Sequence, residues 1–249
     1  MTTMSAGSAN PALLDHHFDP LPARVVGVLR SPRATLAAVA GAPRWAGVLI
    51  LTFLISTIST AALLQTDVGR VALVDQWERT ASAFGQNVGD RQYAALEDAS
   101  SNGTAYAAIS SFASGPLLTF GLAALLLVIF NGALGGAATY PQLLAITAHA
   151  GVILALRQVI AAPVSYARET LASPMTMTIF FSMLDEASPI ARFFGVIDLF
   201  VVWWLAVLAI GLSVLYRRPA SRVLMGLVGA YVVLALLLVI AMAVTGGTV

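Results

Sequence analysis

Long apolar stretches alternate with polar ones along this chain, and their lengths decide what they build. From Trp45 to about Gln65 no side chain carries a charge. A helix rises about 1.5 Å per residue, so about 20 such residues cross a hydrocarbon core of about 30 Å. The same pattern predicts further spans over about 116–137, 141–163, 193–216 and 223–244, the fourth introduced by Ser188-Pro189. Trp45 stands where an interfacial aromatic is expected. The predicted fold is all-α: a polytopic transmembrane helical bundle of five spans, with an N-terminal interfacial helix and an outer helical segment.

The polar stretches complete the layout. Residues 1–24, with prolines at 11, 20 and 22, read as a disordered cytoplasmic tail, and residues 25–245 as the membrane domain. The tail holds no apolar run of the signal-peptide kind, so the first span is expected to act as its own insertion signal. Ser31-Pro32 reads as a cap followed by a first-turn proline, and Leu36, Val39 and Ala40 fall at helical spacing before Gly41 and Pro43 end the piece. Flanked by Arg30, Arg33 and Arg44, this short amphipathic helix is expected on the inner membrane surface. Residues 66–111 form the largest polar segment, with Val71, Val74, Trp77, Ala81, Phe84 and Val88 at helical spacing and a turn near Asn102-Gly103. They predict a helical hairpin or cap on the membrane surface. In 164–192, the apolar run from Met175 to Leu184 after Ser173-Pro174 is too short to span and predicts an interfacial or re-entrant helix.

Charge then sets the orientation. The N-terminal flank carries Arg24, Arg30, Arg33 and Arg44, and the turn between spans four and five carries Arg217, Arg218 and Arg222 with no acid. Basic residues stay in the cytoplasm, and five spans put both groups on one side. The 66–111 segment has six acids and three arginines, and 164–192 has three acids and two arginines, so both are expected outside. The N-terminus is thus expected in the cytoplasm and the C-terminus outside, in a bacterial cytoplasmic membrane.

Composition agrees with a lipid solvent. Charged residues make up 10% of the chain and hydrophobic residues 59%, where a water-soluble chain carries about 25% charged. Mean hydropathy is +0.87. There is no cysteine, which excludes disulfides, thiolate metal sites, iron–sulfur clusters and a cysteine nucleophile. A net charge of +1 selects no nucleic acid, and no basic–aromatic surface suggests one. No P-loop, G-x-S-x-G or H-E-x-x-H occurs, and no inverted repeat with broken helices is evident. No catalytic residue, cofactor or metal site is expected.

Chemistry at membrane depth concentrates in few residues. Arg157 lies about 24 Å along span three from Pro141, and Asp198 in the outer third of span four, so both fall in the outer half of the bilayer. An isolated charge there costs several kcal/mol, so an ion pair between adjacent antiparallel spans, or snorkelling of the charged ends, is expected. His149 lies two turns before Arg157 on about the same face and is expected to be a hydrogen-bonded packing residue. His16 and His17, with Asp15 and Asp19, sit in the tail and are expected to be solvated rather than metal-bound. Gly132 and Gly136 form a GxxxG pattern at the end of span two, which permits close helix approach in lipid.

From Ile190 to Ser213 the sequence IARFFGVIDLFVVWWLAVLAIGLS is similar to the Asp-Leu-Phe…Trp…Gly-Leu-Ser helix of the Yip (Ypt-interacting protein) family. The entry segment Ser31-Pro32-Arg33-Ala34-Thr35…Pro43-Arg44-Trp45 also resembles that family's. The resemblance covers roughly 25–245. It implies five spans with a cytoplasmic N-terminus, and marks Asp198, Trp203 and Gly211 as family-determining: Asp198 holding span three through Arg157, Trp203 packing, and Gly211 permitting close helix contact. Eukaryotic members bind Rab-type GTPases. The short tail here offers little surface for one, so GTPase binding is not carried over.

The leading expectation is a non-enzymatic membrane scaffold, adaptor or bilayer-organising protein. Its expected partners are the lipid bilayer and other membrane proteins, in a homo- or hetero-oligomer. The alternative is a transporter or channel subunit for a small solute or ion, with His149, Arg157 and Asp198 lining a shared polar path.

Overall fold

The computed structural model describes residues 20–171, 173, 175–180 and 189–245. The tail cluster around His16 and His17, the residues Pro174 and Ser188, and the run from Phe181 to Leu184 lie outside the described residues. Among the described residues the secondary structure is helical, with one isolated β-bridge, Thr176 to Asp198, and no strand.

Two short helices, α1 (Leu21–Arg30) and α2 (Pro32–Gly41), precede α3 (Ala46–Leu64). Helices α4 (Asp67–Ala83) and α5 (Asp90–Ser100) form the polar cap, and α6 (Gly103–Phe112) leads through a π-helical turn at Pro116 into α7 (Leu118–Leu127). Then come α8 (Tyr140–Ala150), α9 (Val152–Arg168), α10 (Pro189–Val196), α11 (Leu199–Tyr216) and α12 (Ala220–Thr245). Five stretches are long and apolar enough to cross a membrane: Ala46–Leu64, Gly103–Ala133, Tyr140–Arg168, Leu199–Tyr216 and Ala220–Val244.

Several boundaries differ from those read in the sequence, each for a local reason. Helix α1 starts at Leu21, inside the stretch assigned to the tail, because Pro22 sits in the first turn, where its missing N–H costs nothing. Span two begins at Gly103 rather than near 116, since Pro116 is taken up in the π-helical turn instead of starting a helix. Span three runs past Pro163 to Arg168, where Glu169 turns the chain in the left-handed region (φ 53°). Span four is broken at Ile197–Asp198, which separates α10 from α11.

Span three is the axis of the bundle. Its most apolar window is 61% buried, against 11% for span five. The core gathers Val28 of α1, Leu36 of α2, Leu143, Ile146 and Ile153 of span three, and Leu208 and Leu212 of span four. Helix α3 packs on α9 and α6, α7 on α8, and α11 on α12, α8 and α9. The interfacial helix α2 does more than lie on a surface. It docks against α11 and α8, burying Leu36 and Val39 and exposing Arg33 and Ala37. Gly211 makes that approach possible: a Cβ there would stand 2.5 Å from Ile146 Cγ2 and 3.3 Å from Leu36 Cδ1.

A smaller apolar cluster joins the cap to the bundle through Ala61, Leu64, Leu73 and Ala107, with Trp77 and Leu171 against it. The buried residues of α4 are Gly69, Ala72, Leu73 and Val74; of the spaced apolar positions Val74 is buried and Trp77 packs on the cluster, while Val71 is 60% exposed. Close backbone contact sets this face, because Gly69 abuts the Leu63 carbonyl with no room for a side chain. Helices α1 and α2 and the α11–α12 turn thus share one end of the bundle, here the basic end. Helices α4 and α5 cap the opposite, acidic end.

Candidate functional site

The break between α10 and α11 leaves backbone groups without helical partners, and a buried group left unpaired costs about 1–3 kcal/mol. The first amides of α11 and the carbonyls of Val196 and Ile197 find partners. The Asp198 carboxylate caps α11, accepting from the amides of Phe200 (2.8 Å) and Val201 (3.4 Å) through Oδ1. The Tyr231 hydroxyl on span five donates to the Val196 carbonyl (2.7 Å) and accepts from the Asp198 amide (3.2 Å). The Met177 amide donates to the Ile197 carbonyl (2.9 Å), and the Leu199 amide to the Met175 carbonyl (3.0 Å). The apolar segment after span three therefore docks as a short extended piece on the break, followed by a 3₁₀ turn at Met177–Phe180.

Asp198 Oδ2 accepts from Arg157 Nε (2.8 Å) and from the Ser173 hydroxyl (2.6 Å). Asp198 is 4% exposed. One carboxylate thus ties together span three, span four, the connecting segment and, through its own amide, span five. A charge pair in so dry a place holds only because the remaining lone pairs are satisfied too.

The structure sets His149 apart from this cluster. Its ring is fully buried, and Nδ1 lies 2.7 Å from the Ala145 carbonyl, which can only accept, so Nδ1 carries the proton. Nε2 is then the acceptor facing Arg24 Nη1 at 3.4 Å, and Arg24 Nη1 also donates to the Arg44 carbonyl at 3.0 Å. His149 therefore joins α1 and the start of α3 to span three. It shares no contact with Arg157 or Asp198.

Trp203 and Gly132 also depart from expectation. Trp203 is 40% exposed and touches only its neighbour Phe200 among the described rings. Packing falls to Trp204, one residue on and about 100° around the helix, which rests on the core. The Gly132–Gly136 pattern lies where the helix unwinds through a π turn, and a Cβ on Gly132 would meet nothing. Gly136 is the tight position, against the Tyr216 ring. That ring stacks on Phe130 at 4.7 Å, and its hydroxyl donates to Asn131 Oδ1 at 2.9 Å, tying the turn between spans two and three to the end of span four.

The residues that the sequence did not single out are Ser173 as a carboxylate partner, Tyr231, Arg24 and the Asn131–Tyr216 pair. A tyrosine hydroxyl in the middle of a span was the signal for Tyr231. Arg24 meets His149 across 125 positions, and no local pattern encodes that.

Two cavities adjoin Arg157. One of about 610 Å³ lies among spans one to four, with Thr52, Ser114, Thr147, Leu122 and Trp204 in its wall. Three of the wall hydroxyls, those of Thr52, Ser114 and Thr147, donate to carbonyls three or four residues earlier in the chain. A second of about 230 Å³ lies toward the acidic end, with Gln76, Tyr106 and Ser173 in its wall. Arg157 and Gln158 line both, while His149 and Asp198 line neither. Among the described residues no three His, Cys, Asp or Glu side chains gather as a metal site would require.

A family model described as the Yip1 domain matches residues 26–242, most of the chain. No curated protein and no solved structure matches it.

Proposed function

We propose, from the premise that this chain belongs to the Yip1 domain family, that it is a non-enzymatic scaffold or adaptor that organises the bilayer and neighbouring membrane proteins through its helix surfaces. The coarse statement needs no proposal: it is an integral membrane protein with five helices fit to span.

One observation carries the finer reading. The buried carboxylate is engaged: it accepts from Arg157, Ser173 and the amides of Phe200 and Val201, and these four hydrogen bonds hold the break together. What remains available is surface. Spans two and five bury only 17% and 11% of their most apolar windows, so they offer broad apolar faces to lipid or to another helix. We infer from the arginine distribution that the N-terminus is cytoplasmic and the C-terminus outside, and take the membrane to be a bacterial cytoplasmic one. Purification in mild detergent tests the reading: defined lipids and a stoichiometric membrane partner, or a second copy of the chain, should travel with the protein. A strictly monomeric, delipidated species with full thermal stability would contradict it.

A second reading, a transporter or channel subunit, is favoured by the two cavities that share Arg157 and Gln158 as a partition. Its polar path would run past Arg157 alone, without His149 or Asp198. Reconstituted vesicles decide it: a flux of small anions that disappears in Arg157→Gln supports a path, and vesicles no leakier than protein-free ones exclude it.

A further inference from the structure

The basic end of the bundle holds an open concavity of about 880 Å³, lined by Ser31, by Arg33 and Ala37 of α2, and by Ser213, Arg217 and Arg218 at the end of α11. We propose that it seats the phosphate headgroup of an anionic lipid. This deepens the bilayer-organising reading by naming the lipid class, and rests on that reading only for the claim that lipid is a partner.

Three guanidinium groups from chain regions some 185 residues apart reach one hollow, and no acid lines it. Arg217 ends α11 in the left-handed region (φ 51°), so the chain reverses there and sets Arg217 and Arg218 side by side on the rim. Arg218 is partly engaged, donating through Nη2 to the Leu134 carbonyl at 3.3 Å. Arg33 and Arg217 are exposed, and their side chains have no hydrogen-bond or ion-pair partner among the described residues. Like charges brought together without a counter-charge repel, and a phosphate between them reverses that sign.

The positive end of α2 faces the same space, and the Ser31 side chain makes no capping bond that would compete with an anion. The wall beside the arginines is apolar, formed by Ala34, Ala37 and Val214. A soluble phosphate would leave that wall wet. A lipid would lay its glycerol and first methylenes against it and continue along the exposed spans. Basic pockets between helix ends at the membrane surface recognise lipid headgroups on these grounds.

The test uses the full chain purified in detergent, with native mass spectrometry to read retention of phosphatidylglycerol against phosphatidylcholine. Two double variants accompany the wild type. Arg33→Gln with Arg217→Asn removes the charge, asparagine being chosen because it tolerates a positive φ. Arg33→Lys with Arg217→Lys keeps it. The wild type should prefer phosphatidylglycerol, and the neutral pair should lose about thirtyfold in affinity for it, at about a factor of five per surface arginine. The lysine pair should keep most of the preference, and glycerol phosphate should not displace the lipid. Melting temperature should be the same in all three proteins, since neither arginine holds the fold. An unchanged preference in the neutral pair, no preference in the wild type, or complete displacement by glycerol phosphate would overturn the proposal. A missing protein partner sinks the scaffold reading and leaves this result untouched.

Discussion

Arg157 meets a buried carboxylate at 2.8 Å, whereas Arg33 and Arg217, at the other end of the same bundle, share a hollow with no acid in its wall. The residue type is the same, but its surroundings assign opposite work. At the break in span four a guanidinium is one of several donors satisfying Asp198, and removing it leaves a buried carboxylate without its counter-charge. At the basic end the guanidinium groups stand in the open, and losing one should cost the fold about nothing. Within a membrane protein, then, a charge with a partner is evidence about folding. A concave set of like charges without one is evidence about binding.

The largest expected effect breaks the first half of that contrast. Asp198→Leu removes the cap of α11, the Ser173 acceptor and the counter-charge of Arg157 together, and should cost about 3–5 kcal/mol. It should be visible as loss of monodisperse protein in detergent size-exclusion chromatography. Retention of a normal peak and melting temperature would show the knot to be dispensable. Next comes Gly211→Val, which drives methyl groups into Ile146 and Leu36 and should cost about 1–3 kcal/mol of overpacking. A thermal-shift measurement checks it, with Gly226→Val, on the open face of span five, as the silent control.

A smaller effect sharpens the comparison between neighbours. Trp204→Ala should lower the melting temperature by an amount corresponding to about 2 kcal/mol, and Trp203→Ala by much less, because only Trp204 rests on the core. Equal losses would mean that the faces of α11 are misassigned. The smallest effect on stability belongs to Arg33→Gln with Arg217→Asn, expected within about 0.5 kcal/mol of wild type, with its consequence confined to lipid retention.

How far the sequence could be read depends on what each feature is made of. The spans were legible because twenty uncharged residues have few other fates. Counting 1.5 Å per residue was enough to put Arg157 and Asp198 at comparable depth. The break at Asp198 was not legible as a break, since Phe193–Val196 and Leu199–Val202 are equally apolar on either side and hide the helix end. The aspartate itself was the signal, as a capping residue type, but at membrane depth its charge drew the attention. Trp203 and Trp204 show a second limit: in a helix that is apolar all round, periodicity cannot say which face is inside. Contacts between distant segments, such as Arg24 with His149 and α2 with Gly211, arise from packing and leave no local trace.

The central claim is that Arg157 and Asp198 serve the fold as a pair. A double-mutant cycle with Arg157→Met and Asp198→Asn, read as unfolding free energy in one detergent, tests it directly, because asparagine keeps an oxygen to cap α11 while losing the charge. Each single change should be strongly destabilising, and the double variant should be more stable than the sum of the two losses by about 1–3 kcal/mol, since it strands no charge. Strict additivity would contradict the claim, and with it the reading of this protein as one that works through packing.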